Sequence, residues 1–274
     1  MVEEPALERR LVAEEPALER RLVAEEPALE RRLVAEEPAL GRRLMPEAPP
    51  LGRRLVAEAL GSFFLFATVV GSGIMAQALS QGNDAVALIG NTAATGAILF
   101  VLITILGPIS GAHMNPAVSL VAASRREIGW GDAGAYIVAQ LAGGIVGVLA
   151  AHIMFDLPLL QFSDRARSGG GQWLSEGIAT FGLVLTIWGT AKFRPTAIPA
   201  SVALYITAAY WFTASTSFAN PAITIARSLT DTFSGIAPGD VPGFIVAQLV
   251  GAGLAALAVR ALFDDQGDEA MPLR

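Results

Sequence analysis

Two Asn-Pro-Ala triplets, Asn115-Pro116-Ala117 and Asn220-Pro221-Ala222, sit inside apolar sequence, and each precedes a short helix-compatible run, Val118 to Ala123 and Ile223 to Leu229. Asn is a good helix N-cap, and Pro is tolerated in the first turn, where its missing N–H would be unpaired anyway. Each triplet therefore reads as the start of a helix. Interrupted apolar segments in corresponding places of two halves point to a substrate path near the middle of a bilayer.

Composition agrees with a membrane setting. Of 274 residues, 53% are hydrophobic and 16% charged, and the mean hydropathy is +0.52, values of a polytopic membrane protein. With no Cys there are no disulfides, thiolate nucleophiles or Cys-based metal sites. His113 and His152 are too few for a His-rich metal centre, so neither a metal nor a cofactor is expected. A His-Glu-x-x-His helix and a Gly-x-Ser-x-Gly elbow are also missing, which argues against an enzyme. The net charge of −6 arises mainly at the two ends, and no nucleic-acid partner is expected.

The first 55 residues are of another kind. An 11-residue unit runs from Val12 to Leu22 and again from Val23 to Leu33, with a shortened copy before it and decaying copies after it. An 11-residue period suits a right-handed supercoil, but the Pro in every unit breaks a continuous helix. Residues 1–52 are expected to be a disordered tandem expansion, followed by a channel domain over 53–263 and a tail over 264–274.

Apolar runs long enough to span fall at about 55–79, 85–106, 132–154, 172–192, 196–214 and 240–262. The Asn-Pro-Ala helices lie after the second and fifth spans and are too short to cross. Placing Arg53, Arg54, Arg125, Arg126, Lys192, Arg194 and Arg260 on the cytoplasmic side leaves Arg165, Arg167 and Arg227 on the other, so both termini are expected to be cytoplasmic. The halves, about 53–154 and 172–263, repeat: Glu58 to Thr68 matches Glu176 to Thr186, and Ile137-Val-Ala-Gln140-Leu141 recurs as Ile245-Val-Ala-Gln248-Leu249. Three spans per half make the repeat inverted, with the two short helices meeting N-end to N-end.

These residues together (Ser110-Gly-Ala-His113-Met-Asn115-Pro-Ala-Val118, the second triplet, Glu58 and Glu176, Gln140 and Gln248) resemble the aquaporin, or major intrinsic protein, family over about residues 53 to 263. The resemblance implies an all-α membrane fold of six transmembrane helices plus two re-entrant half-helices. It also implies a homotetramer with one pore per subunit, here in the inner membrane.

Two half-helix N-termini place roughly +0.5 elementary charge each at mid-bilayer. With the Asn115 and Asn220 amides as donors, and extended approaches at Ile109 to Met114 and Thr216 to Ala219 as carbonyl ladders, they form a filter for small neutral solutes against protons and ions. Glu58 and Glu176 are expected to brace the re-entrant loops, with Gln140, Gln248 and His113. The alternative makes the two Glu the proton carriers of a coupled secondary transporter. Gly143-x-x-x-Gly147 and Gly251-x-Gly253 read as helix-packing positions.

The chain departs from the family pattern at the constriction. Most members carry Arg directly after the second triplet, where this chain has Ile223. Counting without gaps from each Asn places the other constriction positions at Thr95, Ala208 and Ser217, a wider and less polar ring. Arg227, one turn beyond Ile223, either overlooks the outer vestibule or pairs with Asp231. A bacterial subgroup that has lost this Arg resembles the segment Phe218 to Ala237. It implies passage of trivalent metalloid hydroxides such as arsenite and antimonite, with glycerol-like solutes and water.

Overall fold

The computed structural model describes residues 49–263; the repeats as far as residue 48 and the expected tail over 264–274 lie outside the described residues. Among the described residues there are eight α-helices: α1 (Leu51–Leu79), α2 (Asp84–Ser110), α3 (Pro116–Ser124), α4 (Trp130–Met154), α5 (Gly170–Phe193), α6 (Ile198–Phe212), α7 (Pro221–Arg227) and α8 (Val241–Phe263). All are joined by loops or 3₁₀ turns. α1 begins two residues before the expected domain boundary. Pro50 cannot continue a helix backwards, and its carbonyl accepts the Arg53 and Arg54 N–H groups at 2.9 and 3.2 Å.

α1, α2, α4, α5 and the rod Pro238–Phe263 are each long and apolar enough to cross a membrane. α6 is shorter, with 15 residues, or ~22 Å at 1.5 Å per residue. The 3₁₀ turn Pro195–Ala197 leads into it and extends the rod to ~28 Å, close to the ~30 Å hydrocarbon core. This is an integral, multi-pass membrane protein.

The halves use the same partners. α1 packs along α4 and α2 as α5 packs along α8 and α6; α2 meets α6 at the centre, and both short helices lean on α4 and α8. Close crossings explain the small residues. A Cβ on Gly143 or Gly147 would strike the Ala59 or Phe63 carbonyl of α1, and one on Gly251 would strike the Gly177 carbonyl of α5. Gly253 meets nothing within 4 Å, so its expected packing role is corrected: two residues turn it about 200° away from Gly251.

α2 also runs further than expected. Despite Pro108, it stays helical through Ser110 and ends at Gly111 with φ +85°, so the extended approach to the first triplet starts at Gly111, not Ile109.

Candidate functional site: two abutting half-helices along a cavity

α3 and α7 meet at their N-termini. Asn115 Oδ1 accepts the Ala117 N–H at 2.9 Å while its Nδ2 donates to the Ala219 carbonyl at 2.8 Å. Asn220 mirrors it, accepting from Ala222 N–H at 3.0 Å and donating to the Met114 carbonyl at 2.8 Å. Each Asn thus caps its own helix and ties it to the other loop. An amide Nδ2 carries two hydrogens, so one remains for the cavity that both residues line.

The loops leading into the triplets share an unusual backbone. Gly111, Ala112 and Met114 have positive φ, and so do their counterparts Thr216, Ser217 and Ala219. Left-handed geometry at non-glycine residues is unfavourable by about 1–3 kcal/mol each and persists only where the surroundings impose it. Here two buried carboxylates do so. Glu58 accepts from Ser110 Oγ at 2.6 Å, His113 N–H at 2.9 Å, Met114 N–H at 2.6 Å and Gln140 Nε2 at 2.7 Å. Glu176 accepts from Phe218 N–H at 2.9 Å, Ala219 N–H at 2.8 Å and Gln248 Nε2 at 2.6 Å. Both Glu side chains are fully buried. Gln140 reaches on to Ser119 Oγ, which also meets His113 Nδ1 at 3.0 Å, and Gln248 reaches on to Thr224 Oγ1.

A cavity of about 370 Å³ runs past this junction. One wall is aliphatic (Leu65, Val69, Leu99, Ile103, Val202, Ile206) and the other carries the loop backbones and the two Asn. At one end lie Glu127, Trp188 and Ala191; Glu127 Oε1 accepts from Trp188 Nε1 at 2.7 Å and from Arg125 Nε at 3.0 Å. At the other end Thr95, Ser217 and Ile223 line the cavity. Ala208 does not. It is exposed on the far side of α6, while Ile206 and Tyr210 face the cavity. A gap-free count was two residues out, and two residues turn a helical side chain by about 200°. An aromatic therefore lines this end of the cavity: the Tyr210 hydroxyl lies 3.3 Å from Thr95 Oγ1, which itself donates to the Asn91 carbonyl.

Arg227 resolves differently from the Asp231 pairing. It is 2% exposed, donates through Nε to the Ser234 carbonyl, and lies with its guanidinium carbon 3.4 Å from the Phe218 ring centroid. Asp231 instead accepts from the Asp164 N–H at 3.2 Å. The sequence places Arg167 on the non-cytoplasmic side and gives no sign of its place at this site. The α4–α5 loop folds back over this mouth, and Arg167 donates to the Gly235 carbonyl at 2.8 Å and the Ser215 carbonyl at 3.1 Å, 5.0 Å from the Phe218 ring. Burial, then neighbouring Arg165, brings its pKa down to about 10; it remains protonated at neutral pH. An Arg on a long irregular loop carries no spacing signal that the loop turns inward.

Among the described residues, no group of three His, Asp or Glu side chains is placed to hold a metal ion.

Comparison with known proteins agrees with this architecture. The family model for the major intrinsic proteins matches residues 47–210. The chain is 63% identical over 195 residues to "Aquaglyceroporin AqpS" of Rhizobium meliloti (strain 1021), covering 71% of this chain and 83% of that one. It is 33% identical over 136 residues to "Probable aquaporin NIP4-2" of Arabidopsis thaliana, covering 49% and 47%. In fold, it is similar to the aquaglyceroporin from Plasmodium falciparum solved by X-ray analysis, with a TM-score of 0.60 and 22% identity over 78% of this chain and 98% of that one.

Proposed function

The chain belongs to the major intrinsic protein family, is a membrane channel and not an enzyme, and on that premise we propose that it conducts small neutral hydroxyl compounds passively while excluding protons and ions. The observation that carries this is the reciprocal tie between Asn115 and Asn220 beside a continuous cavity. Two positive helix ends there oppose a cation, while the amide hydrogens and loop carbonyls offer a neutral hydroxyl both an acceptor and a donor partner. Glu58 and Glu176 act as braces: each already accepts two loop N–H groups and a Gln amide.

The solute range is broad. Ile223 stands where a constriction Arg is usual, and Thr95, Ser217 and Tyr210 supply the remaining polarity. Glycerol-like solutes and water pass, and so do arsenite and antimonite, which are uncharged hydroxides of glycerol-like shape at pH 7. The relative named an aquaglyceroporin supports the polyol part of this range. The protein works as a homotetramer in the inner membrane with both termini in the cytoplasm, which puts the Arg227 mouth outside.

Purified protein in liposomes, challenged with water, glycerol, urea and arsenite by stopped-flow light scattering, tests the reading. Rapid flux of all but ions, independent of any proton gradient, is expected. Saturable uptake that collapses with the proton gradient, or a sustained monovalent-ion current, overturns it.

A further inference from the structure

Beyond the Tyr210 end of the cavity lies a second, polar pocket of about 300 Å³, roughly ten water volumes at ~30 Å³ each. Three guanidiniums line it, from Arg165, Arg167 and Arg227, against one carboxylate, Asp84. The ion pairs within 4.0 Å among the described residues are Arg54–Asp132 and Arg125–Glu127, so none of the three has a carboxylate partner. Their acceptors among the described residues are backbone carbonyls and the Thr216 hydroxyl.

Arg227 is the telling case. A buried Arg is normally paired. This one is 2% exposed, uses Nε on the Ser234 carbonyl, and among the described residues has no acceptor for either Nη, although it lines both the pocket and the cavity. The guanidiniums are also held in place. Arg227 and Arg167 lie over Phe218 at 3.4 and 5.0 Å, and Arg165 lies over Phe233 at 5.2 Å. Guanidiniums seated over aromatic rings, with both Arg227 Nη groups lacking an acceptor among the described residues, present fixed donors of the kind that oxyanions accept.

We infer that this pocket is a binding site for a small tetrahedral oxyanion, held between Arg227, Arg167 and Arg165 at the mouth of the pore, where its occupancy obstructs the passage of neutral solutes. The site deepens the channel reading and rests on it only for the obstruction. Binding itself follows from the guanidinium arrangement. It also gives the lost constriction Arg a changed location: positive charge is kept at this end of the pore but moved off the narrowest ring, to where it holds an anion rather than narrowing the path.

The probe is inorganic sulfate, doubly charged across the neutral range. Isothermal titration of the purified full-length protein in a neutral detergent is expected to show one saturable site per chain. In phosphatidylcholine proteoliposomes, sulfate on both faces is expected to slow glycerol flux saturably, compared with chloride at matched osmolarity and ionic strength. The effect is read as a ratio within each protein, so changes in basal flux do not enter it. Arg227→Gln and Arg167→Gln should weaken sulfate binding and inhibition by about tenfold each, the loss of one charge-assisted hydrogen bond. Arg165→Gln, at an exposed position that tolerates substitution, should weaken both by a smaller factor.

Vesicles containing phosphatidylglycerol separate the sources of the anion: inhibition without added sulfate, relieved by Arg165→Gln, would assign the site to a lipid headgroup and overturn the free-anion proposal. Absence of titratable binding overturns it as well, as does equal sulfate sensitivity in native and substituted proteins. If glycerol flux itself were absent, the channel reading would fail, while the titration would still decide the site.

Discussion

Side-chain placement around α6 decides which residues line the cavity. Tyr210 lines the cavity beside Thr95, and Ala208 does not. Tyr210→Ala should therefore raise the glycerol-to-water flux ratio several-fold, whereas Ala208→Phe should leave the ratio unchanged; stopped-flow measurement of both solutes on each variant checks this. Ile223→Arg adds bulk and a fourth guanidinium at the mouth that Arg165, Arg167 and Arg227 already line. It should reduce glycerol and arsenite flux by about tenfold, equivalent to ~1.4 kcal/mol of barrier, and water flux by less. Equal loss for all solutes would remove Ile223 from the constriction. The two Glu act on backbone instead. Glu176→Gln cannot accept from Phe218 N–H, Ala219 N–H and Gln248 together without turning a donor towards a donor. A loss of about 1.5–3 kcal/mol per charged hydrogen bond follows, seen as a lower melting temperature in detergent. Flux that remains in Glu58→Gln should be insensitive to the proton gradient, and a gradient-dependent flux abolished by that change would restore the coupled-transporter alternative.

At the scale of elements, small residues fix how closely helices cross. Gly147→Val drives a side chain into the Phe63 carbonyl, a backbone clash that neighbouring rotamers cannot relieve. It should destabilise by about 1–3 kcal/mol or more, while Gly253→Val, in open space, should leave the melting temperature unchanged. Both are read by thermal unfolding of purified protein. The elements themselves were legible because apolar runs and an Asn-Pro start are written in local sequence, and the inverted repeat follows from Glu58/Glu176 and Gln140/Gln248 at matched places. Side-chain direction around a helix was not legible from residue counts alone. Ala208 is exposed while Ile206 and Tyr210, two residues to either side, line the cavity, Gly253 turns away from Gly251 by the same rotation, and Arg167 depends on a loop whose fold is set by distant partners such as Asp240, which accepts its N–H at 2.7 Å.

For the molecule as a whole, the pore is held by contacts that pass between the halves. Asn115 hangs on the second half's Ala219 carbonyl and Asn220 on the first half's Met114 carbonyl, over sequence separations of 104 and 106 residues. Neither half can complete its own filter, so the lumen forms only when both are folded and docked. Every such tie lies at or beyond Glu58, and the first helix takes its start from the Pro50 carbonyl and the Arg54–Asp132 ion pair at 2.8 Å. A chain lacking residues 2–44 keeps Pro49, Pro50 and all of these contacts. Its water and glycerol permeability per molecule should therefore equal that of the full chain when flux is normalised to the amount of protein reconstituted. A large fall at equal abundance would mean that the repeats contribute to the pore or to its assembly.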